Sequence, residues 1–413
     1  MNKQHQSVLN LVVIVAALGY FVDIYDLLLF GIIRIKSLTS LGLDATQVRD
    51  SGELIISIQM AGLLIGGIIW GIMGDKKGRL SVLFGSIILY SIANIANGFV
   101  QTVNQYALVR FIAGIGLAGE LGAGITLVSE SLPKEKRGLG TSLVSGIGIL
   151  GAVVAFFISK YFDWRVCYFI GGGLGFLLLL LRVSVFESGM FEEVKEKKVS
   201  RGNFFMFFNN AHRFKRYLIC IFIGLPTWYV IGLLITFSKE FARPENLNVS
   251  GTVDPGAAIM YCYIATSAGG ILIGLISQWL KSRKKALYIF YAIIAIFMVL
   301  FFTQTNGTAT QMYINCAGLG FGCGIWAIFI TMGAEQFGTN LRATAATTIP
   351  NMVRGSLPLI LILFKTLREP FNYVTAAWIT GIIIMVITVV AAILSEETFH
   401  KDLNYLEGDV ILT

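Results

Sequence analysis

The sequence predicts an all-α polytopic membrane protein of twelve transmembrane helices in two pseudo-symmetric six-helix bundles. Three observations lead there. Hydrophobic residues fill 55% of the 413 positions and charged residues only 14%, which is more apolar surface than a soluble core can hide. Apolar runs of about 18 residues or more recur along the whole length, each able to cross a hydrocarbon layer of about 30 Å. The chain also repeats itself. AGIGLAG (113–119) returns as AGLGFGC (317–323), and the pair Glu130 and Arg137 returns as Glu335 and Arg342, at an offset of about 204–205 residues.

In chain order the predicted spans are roughly 10–33, 52–74, 79–99, 104–128, 138–160, 164–186, 215–238, 256–280, 285–304, 310–334, 342–365 and 371–395. The first run lacks a small-residue cleavage site and is followed by many others, so it reads as a retained helix rather than a signal peptide. The longest polar insert, from about Glu187 to Arg216, holds EEVKEKK and then Arg201, Arg213, Lys215 and Arg216. It reads as a solvated connector with an interfacial piece, FFMFF at 204–208. This gives an N-terminal bundle (1–186), a linker (187–216), a C-terminal bundle (217–395) and a tail (396–413). The worn correspondence between GIMGDKKGR (71–79) and GLISQWLKSRK (274–284) supports duplicated halves, and duplicated halves place a transport site at their interface.

With twelve spans both termini share one side. Loops on that side are rich in Lys and Arg, from Lys76, Lys77 and Arg79 to Lys281, Arg283, Lys284 and Lys285. Loops on the other side carry fewer, among them Arg34, Lys36, Arg49 and Arg368. The positive-inside bias puts both termini and the linker in the cytoplasm of a plasma (inner) membrane protein, and it accounts for the net charge of +8 without a nucleic-acid partner. Cys167, Cys220, Cys262, Cys316 and Cys323 lie in or beside apolar runs with no CxxC spacing, so they suggest packing and neither metal nor disulfide. His5, His212 and His400 fall in tails or loops, which argues against a histidine proton relay. There is no phosphate-binding GxxxxGK[ST] loop, no cofactor motif and no polar segment long enough for a soluble catalytic domain. An enzyme or an ATP-driven pump is not the expected reading on that basis.

Charges inside spans mark pathways or pairs. Span one carries Asp23 and Asp26, three residues apart and therefore on one helical face. A span ending near Ile33 places Asp26 on the order of 10 Å below the far surface, at the depth expected of Arg110 in span four. An acid whose ionisation depends on an arginine partner is a proton switch, and a permanent structural pair is the alternative. Asp26 aligns better by depth, and Asp23 remains open. Glu120, deeper in span four, is a second proton site or a partner for a polar group across the cavity. Arg354 in TTIPNMVRGSLPL (347–359) lies near mid-membrane with no acid in its own span. A guanidinium there suits a carboxylate or phosphate ligand, or a salt bridge to Glu120 or a span-one aspartate. Pro350, Gly355 and Pro358 can interrupt its helix. Tyr25, Trp228, Tyr229, Tyr261, Tyr263 and Trp326 are candidate cavity aromatics, with Pro226 kinking span seven beside Trp228.

The stretch RFIAGIGLAGE (110–120), continued by Glu130, Pro133, Arg137 and Gly138, together with Gly71, Asp75 and Arg79 of GIMGDKKGR, resembles the major facilitator superfamily. Within it the chain is similar to the branch of sugar porters and metabolite:proton symporters, although Ala118 stands where glycine is usual. The resemblance spans the whole chain. It implies a cytoplasmic gate at Asp75, Arg79, Glu130 and Arg137, with Glu335 and Arg342 as a weaker copy, against the plainer reading of helix-end caps and topogenic charges. It implies proton coupling between a span-one aspartate and Arg110, and a monomeric carrier. The absence of a glycine–proline pair in GIGILGAVVA (146–155) speaks against a drug exporter. The resulting expectation is proton-coupled uptake of a small organic anion or zwitterion by alternating access. A sugar:proton symporter and a metabolite or drug exporter are the alternatives.

Overall fold

The computed structural model describes residues 11–77, 79–122, 124, 128, 132, 134–187, 204–399, 401 and 407. The helices are α1 (Leu11–Ser40), α2 (Ala45–Lys77), α3 (Arg79–Asn97), α4 (Val103–Leu117), α5 (Lys134–Tyr161) and α6 (Trp164–Glu187) in the first half. The second half holds α7 (Ala211–Tyr229), the short α8 (Ser238–Phe241), α9 (Pro255–Trp279), α10 (Arg283–Thr303), α11 (Ala309–Gly322), α12 (Ile325–Glu335), α13 (Thr339–Gly355), α14 (Leu357–Arg368) and α15 (Tyr373–Leu394). Among the described residues, 10 helices or joined helices are long and apolar enough to cross a membrane, and Ser81–Asn97 is a shorter apolar helix. The remaining crossing begins as α4 and resumes at Glu120 after a turn at Ala118 and Gly119. The chain is a multi-pass membrane protein.

Each half packs in the same pattern. In the first, α1 lies on α5, α2 and α3 lie on α4, and α6 closes on α1 and α3. In the second, α7 lies on α13, α9 and α10 lie on α11, and α15 closes on α7 and α10. The halves meet where α2 touches α13 and α14, and where α9 touches α1 and α5. Without a hydrophobic drive between lipid-bathed helices, small residues that admit a neighbouring backbone set these packings. Gly62, Gly66 and Gly114 bring α2 and α4 into backbone contact, since a Cβ on any of them would strike the Phe111, Ile115 or Gln59 carbonyl oxygen. Gly269 and Gly320 do the same for α9 and α11 against Phe321 and Cys262. Large apolar side chains such as Leu177, Leu180, Ile271, Leu275, Ile296 and Val386 point outward, as lipid contact requires.

Several helices are interrupted, and one interruption recurs in both halves. The turn at Ala118–Gly119 is matched by one at Cys323–Gly324. Span seven widens into a π-helix at Val230–Ile235, just beyond Pro226. Pro226 has no N–H for the Phe222 carbonyl; Thr388 Oγ1 of α15 donates to that oxygen instead, at 3.0 Å. Span eleven breaks at Ser356, directly after Arg354 and Gly355, while Pro350 stays within α13. In the connector, Phe204 and Phe207 turn inward and Phe205 and Phe208 outward, with Phe207 stacked on Tyr217 at 4.5 Å.

Two boundaries differ materially from expectation: α2 begins at Ala45 rather than near 52, and α1 runs past Ile33. The first span ends at Ser40, not near Ile33, so Arg34 belongs to the helix and is fully buried. A charge is tolerated there because Glu240, carried by α8, meets it.

Candidate functional site

Helix α1 is the axis of the site, with charged levels stacked along it. We call the face where α1 begins and α15 ends the terminal face, and the opposite one the far face. Between Gly19 and Arg34 the helix advances about 22 Å at 1.5 Å per residue and passes four buried ion pairs.

The first level is Glu120 with Arg182 of α6, both 1% exposed. Arg182 Nη1 donates to Glu120 Oε2 at 3.2 Å and Nη2 donates to Oε1, a fork on a carboxylate. They fit because residue 19 is glycine, whose missing Cβ would collide with both groups. Arg182 was missed in the sequence, although a lone arginine in LLLLLRVSVFE was a visible signal. Glu120 therefore spends its charge within its own half and does not pair with Arg354.

The second level joins the halves. Arg354 Nη2 stands 3.7 Å from Asp23 Oδ2, and both residues are buried. Among the described residues neither oxygen of Asp23 has a hydrogen-bond partner, and neither do Nε and Nη1 of Arg354. The Trp326 ring lies 5.8 Å from the guanidinium carbon, and the Tyr20 side chain sits against Asp23, Arg354 and Trp326. The helix break at Ser356 and the close approach of Gly355 to Leu64 fix Arg354 at this height.

The third level is Asp26 with Arg110, both fully buried. Arg110 Nη1 donates to Asp26 Oδ1 at 2.9 Å and to Asn94 Oδ1 at 3.2 Å. Nη2 donates to the Asp26 carbonyl at 3.1 Å and Nε to Gln59 Oε1 at 3.3 Å. Tyr168 lies 5.5 Å below the guanidinium. The glycine-mediated contact of α2 with α4 puts Gln59 within reach. Because α1 continues to Ser40, Asp26 is 14 residues from its far end, or about 21 Å. That is deeper than a span ending at Ile33 implies.

The fourth level closes the far face. Arg34 Nη2 meets Glu240 Oε1 at 2.6 Å, with Phe237 4.4 Å from the guanidinium. Beside it, Arg368 forks onto Glu53 at 2.8 and 3.0 Å. Both pairs join the two halves, and neither was anticipated: Arg34 and Arg368 read as loop charges in the sequence. Toward the terminal face the halves touch through α2, α4 and α13. Gly67 faces Asn351, Gly71 faces Thr348, and Asn351 Nδ2 donates to the Ala118 carbonyl at 2.8 Å.

The aromatic candidates separate. Trp326 alone among them sits on Arg354. Trp228 is buried with its indole N–H unpartnered among the described residues. Tyr25 and Tyr229 donate to backbone carbonyls, of Cys167 at 2.8 Å and Ala377 at 2.7 Å, and so tie helices together. Tyr261 faces outward with Ile264, Ile271 and Leu275, its ring 5.4 Å from Tyr313. Helical spacing explains this: Met260 and Tyr263 take the inward face of α9.

Glu130 and the side chains of Asp75, Arg79 and Arg137 lie outside the described part of the structure. In the second half, Glu335 accepts from Arg283 Nη2 at 3.3 Å and from Thr398 Oγ1 at 2.6 Å. Arg342 sits in the first turn of α13. The five cysteines are buried and free.

The chain is 26% identical to the niacin transporter of Acinetobacter baylyi over 428 aligned positions, covering 94% of each protein. It is 26% identical to the sialic acid transporter of Escherichia coli, covering 82% of each. The proton:xylose symporter bound to 6-bromo-6-deoxy-D-glucose shares the fold, with a TM-score of 0.69 at 17% identity over 95% of this chain and 97% of that one. The family described as Major Facilitator Superfamily matches residues 11–362. The chain belongs to the Major Facilitator Superfamily of membrane transporters.

Proposed function

We propose that the protein takes up a small organic carboxylate together with protons, by rocking its two bundles about the α1 axis. The observation that carries this reading is Arg354. It is a buried, permanently charged fork at the bundle interface, backed by Trp326, with Nε and Nη1 free of hydrogen bonds and its nearest acid 3.7 Å away. A carboxylate ligand can fork onto Nη2 together with either Nε or Nη1 in one planar contact. The names of the similar proteins favour the same class, because niacin and sialic acid both carry a carboxyl group.

In this reading residues 1–186 and 217–395 are the moving bundles, 187–216 connects them, and the terminal face is cytoplasmic because its loops hold the excess of Lys and Arg. The Arg34–Glu240 and Glu53–Arg368 pairs hold the far face shut. The α2–α13 contact and the motif residues Asp75, Arg79, Glu130 and Arg137 hold the terminal face. Asp26, Arg110 and Glu120 form the charged core of the first bundle beside the substrate.

Purified protein in liposomes containing a pH-sensitive dye provides the test. Addition of nicotinate, benzoate or N-acetylneuraminate outside is expected to acidify the lumen, and Arg354→Ala to abolish the response. Acidification by xylose or glucose alone would replace this reading with sugar:proton symport.

A further inference from the structure

We infer that Asp23 is an exchangeable internal ligand of Arg354. The substrate carboxylate displaces it, and the displaced aspartate takes up the proton that accompanies the substrate. This rests on the carboxylate reading above and identifies its coupling site.

The inference starts from charge balance. Around α1, apart from the Arg34–Glu240 pair at its far end, the described residues bury three acids, Asp23, Asp26 and Glu120, and three arginines, Arg110, Arg182 and Arg354. With all six ionised the cluster is neutral. An anion entering it would leave one uncompensated charge in a medium where that is costly. A proton entering with the anion restores neutrality.

The geometry then selects the acceptor. Glu120 is forked by Arg182, and Asp26 is held by Arg110 at 2.9 Å, with its carbonyl bound as well. Among the described residues, Asp23 alone of the three has no hydrogen bond on either oxygen, and its ion pair is the one buried pair that fails to close to hydrogen-bond distance. The groups that bear on it are Arg354 of α13, Glu120 beyond α4, Asp26 of its own helix, and Tyr20 and Tyr90. Two of the three charged neighbours are acids, so once Arg354 turns to the substrate, the charged groups left bearing on the Asp23 carboxylate among the described residues are those two acids. Protonation then removes the repulsion.

The exchange balances. Before binding, Arg354 is paired with ionised Asp23. After binding, Arg354 is paired with the substrate anion, and Asp23 carries one proton taken from the medium. For a monocarboxylate no net charge moves. The exchange also cuts an ion pair that joins the bundles, which ties substrate binding to their rocking.

Calorimetric titration of the purified protein with nicotinate, in two buffers of different ionisation enthalpy, counts the protons taken up on binding. The wild type is expected to take up one proton per nicotinate. Asp23→Asn is expected to bind nicotinate with no uptake, and Asp23→Glu to keep both. Uptake undiminished in Asp23→Asn, or lost in Asp23→Glu while binding persists, would overturn the inference and leave the carboxylate reading standing. Should Asp23→Asn fail to yield folded protein, binding without proton uptake in the wild type is enough to overturn it. Failure of the wild type to bind nicotinate, benzoate and N-acetylneuraminate would remove the parent reading and this one together.

Discussion

Arg34 and Glu240 meet at 2.6 Å, both buried, from opposite bundles at the far face. Arg34 is 11 residues along α1 from Asp23, so the helix that carries the loose ion pair at its middle also carries a tight one near its end. Opening the far face must break the tight pair. Removing one partner of a buried pair costs roughly 3–5 kcal/mol, because the other charge is left unpaired. That cost falls only on the state in which the pair is formed.

Glu240→Gln is therefore expected to favour the far-face-open state. The readout is labelling by a membrane-impermeant maleimide of a cysteine introduced at Ile259, which packs under Gly31 at this seam. Faster labelling in Glu240→Gln is the expected outcome, and equal rates would remove Arg34–Glu240 from the gate.

Arg110 holds the Asp26 carboxylate and Asn94 through Nη1, the Asp26 carbonyl through Nη2 and Gln59 through Nε of one planar group. Lysine keeps the charge but cannot reproduce the fork. Arg110→Lys is expected to insert and fold normally and to lose proton-coupled uptake by at least about tenfold, since a single charge-assisted hydrogen bond contributes about 1.5–3 kcal/mol. Wild-type uptake in this variant would make the pair a simple charge match.

Gly114 lies against the Gln59 carbonyl oxygen, a backbone atom that cannot rotate away. Gly114→Ala is expected to lower stability in detergent by about 1–3 kcal/mol through overpacking, read as a fall in Tm. An unchanged Tm would mean that α2 and α4 slide apart freely and that Gln59 is not held to Arg110 by their contact.

Glu397, beyond the last span, accepts from Ser282 Oγ at 2.5 Å and from the N–H groups of Arg283 and Lys284 at 2.9 and 3.2 Å. Burial raises its carboxyl pKa, but these hydrogen bonds together outweigh it and hold the group below its ordinary 4.5. A depressed folded-state value stabilises tail docking above the ordinary pKa, and that contribution is lost as pH falls through the folded-state value. Hydrogen exchange in residues 395–399 is expected to be slow at pH 7 after correction for intrinsic rates and to lose protection in acid. Glu397→Gln is expected to lack the pH-dependent part. Equal protection at both pH values in the wild type would contradict this account.

Span number, the internal repeat and the helix break near Arg354 were legible in the sequence, because apolar length and proline placement act locally. The turn at Ala118–Gly119 was not, since the glycines there read as sites of close helix approach. The juxtaposition of Asp26 and Arg110 was legible from depth and shared half. Arg182, Glu240 and Glu53 were not. Charge near a span end reads as solvated, and only tertiary structure reveals that an opposite charge from another helix lets it be buried. Asp23 was legible as a candidate and as a possible partner of Arg354, but position on α1 cannot tell which aspartate is locked by an arginine and which is loosely held. Tyr261 failed for another reason, since an aromatic on a lipid-facing stripe and one on a cavity wall look alike until neighbouring helices fix the rotation.

The central claim is that Arg354 is the carboxylate ligand. It is tested most directly by equilibrium binding of radiolabelled nicotinate, benzoate and N-acetylneuraminate to the purified wild type, Arg354→Lys and Arg354→Ala. The account predicts that at least one of these acids binds the wild type and that its Kd rises about a hundredfold in Arg354→Ala, the equivalent of about 2.7 kcal/mol for a charge-assisted fork. Arg354→Lys is predicted to lie between the two. Equal affinity in wild type and Arg354→Ala would contradict it.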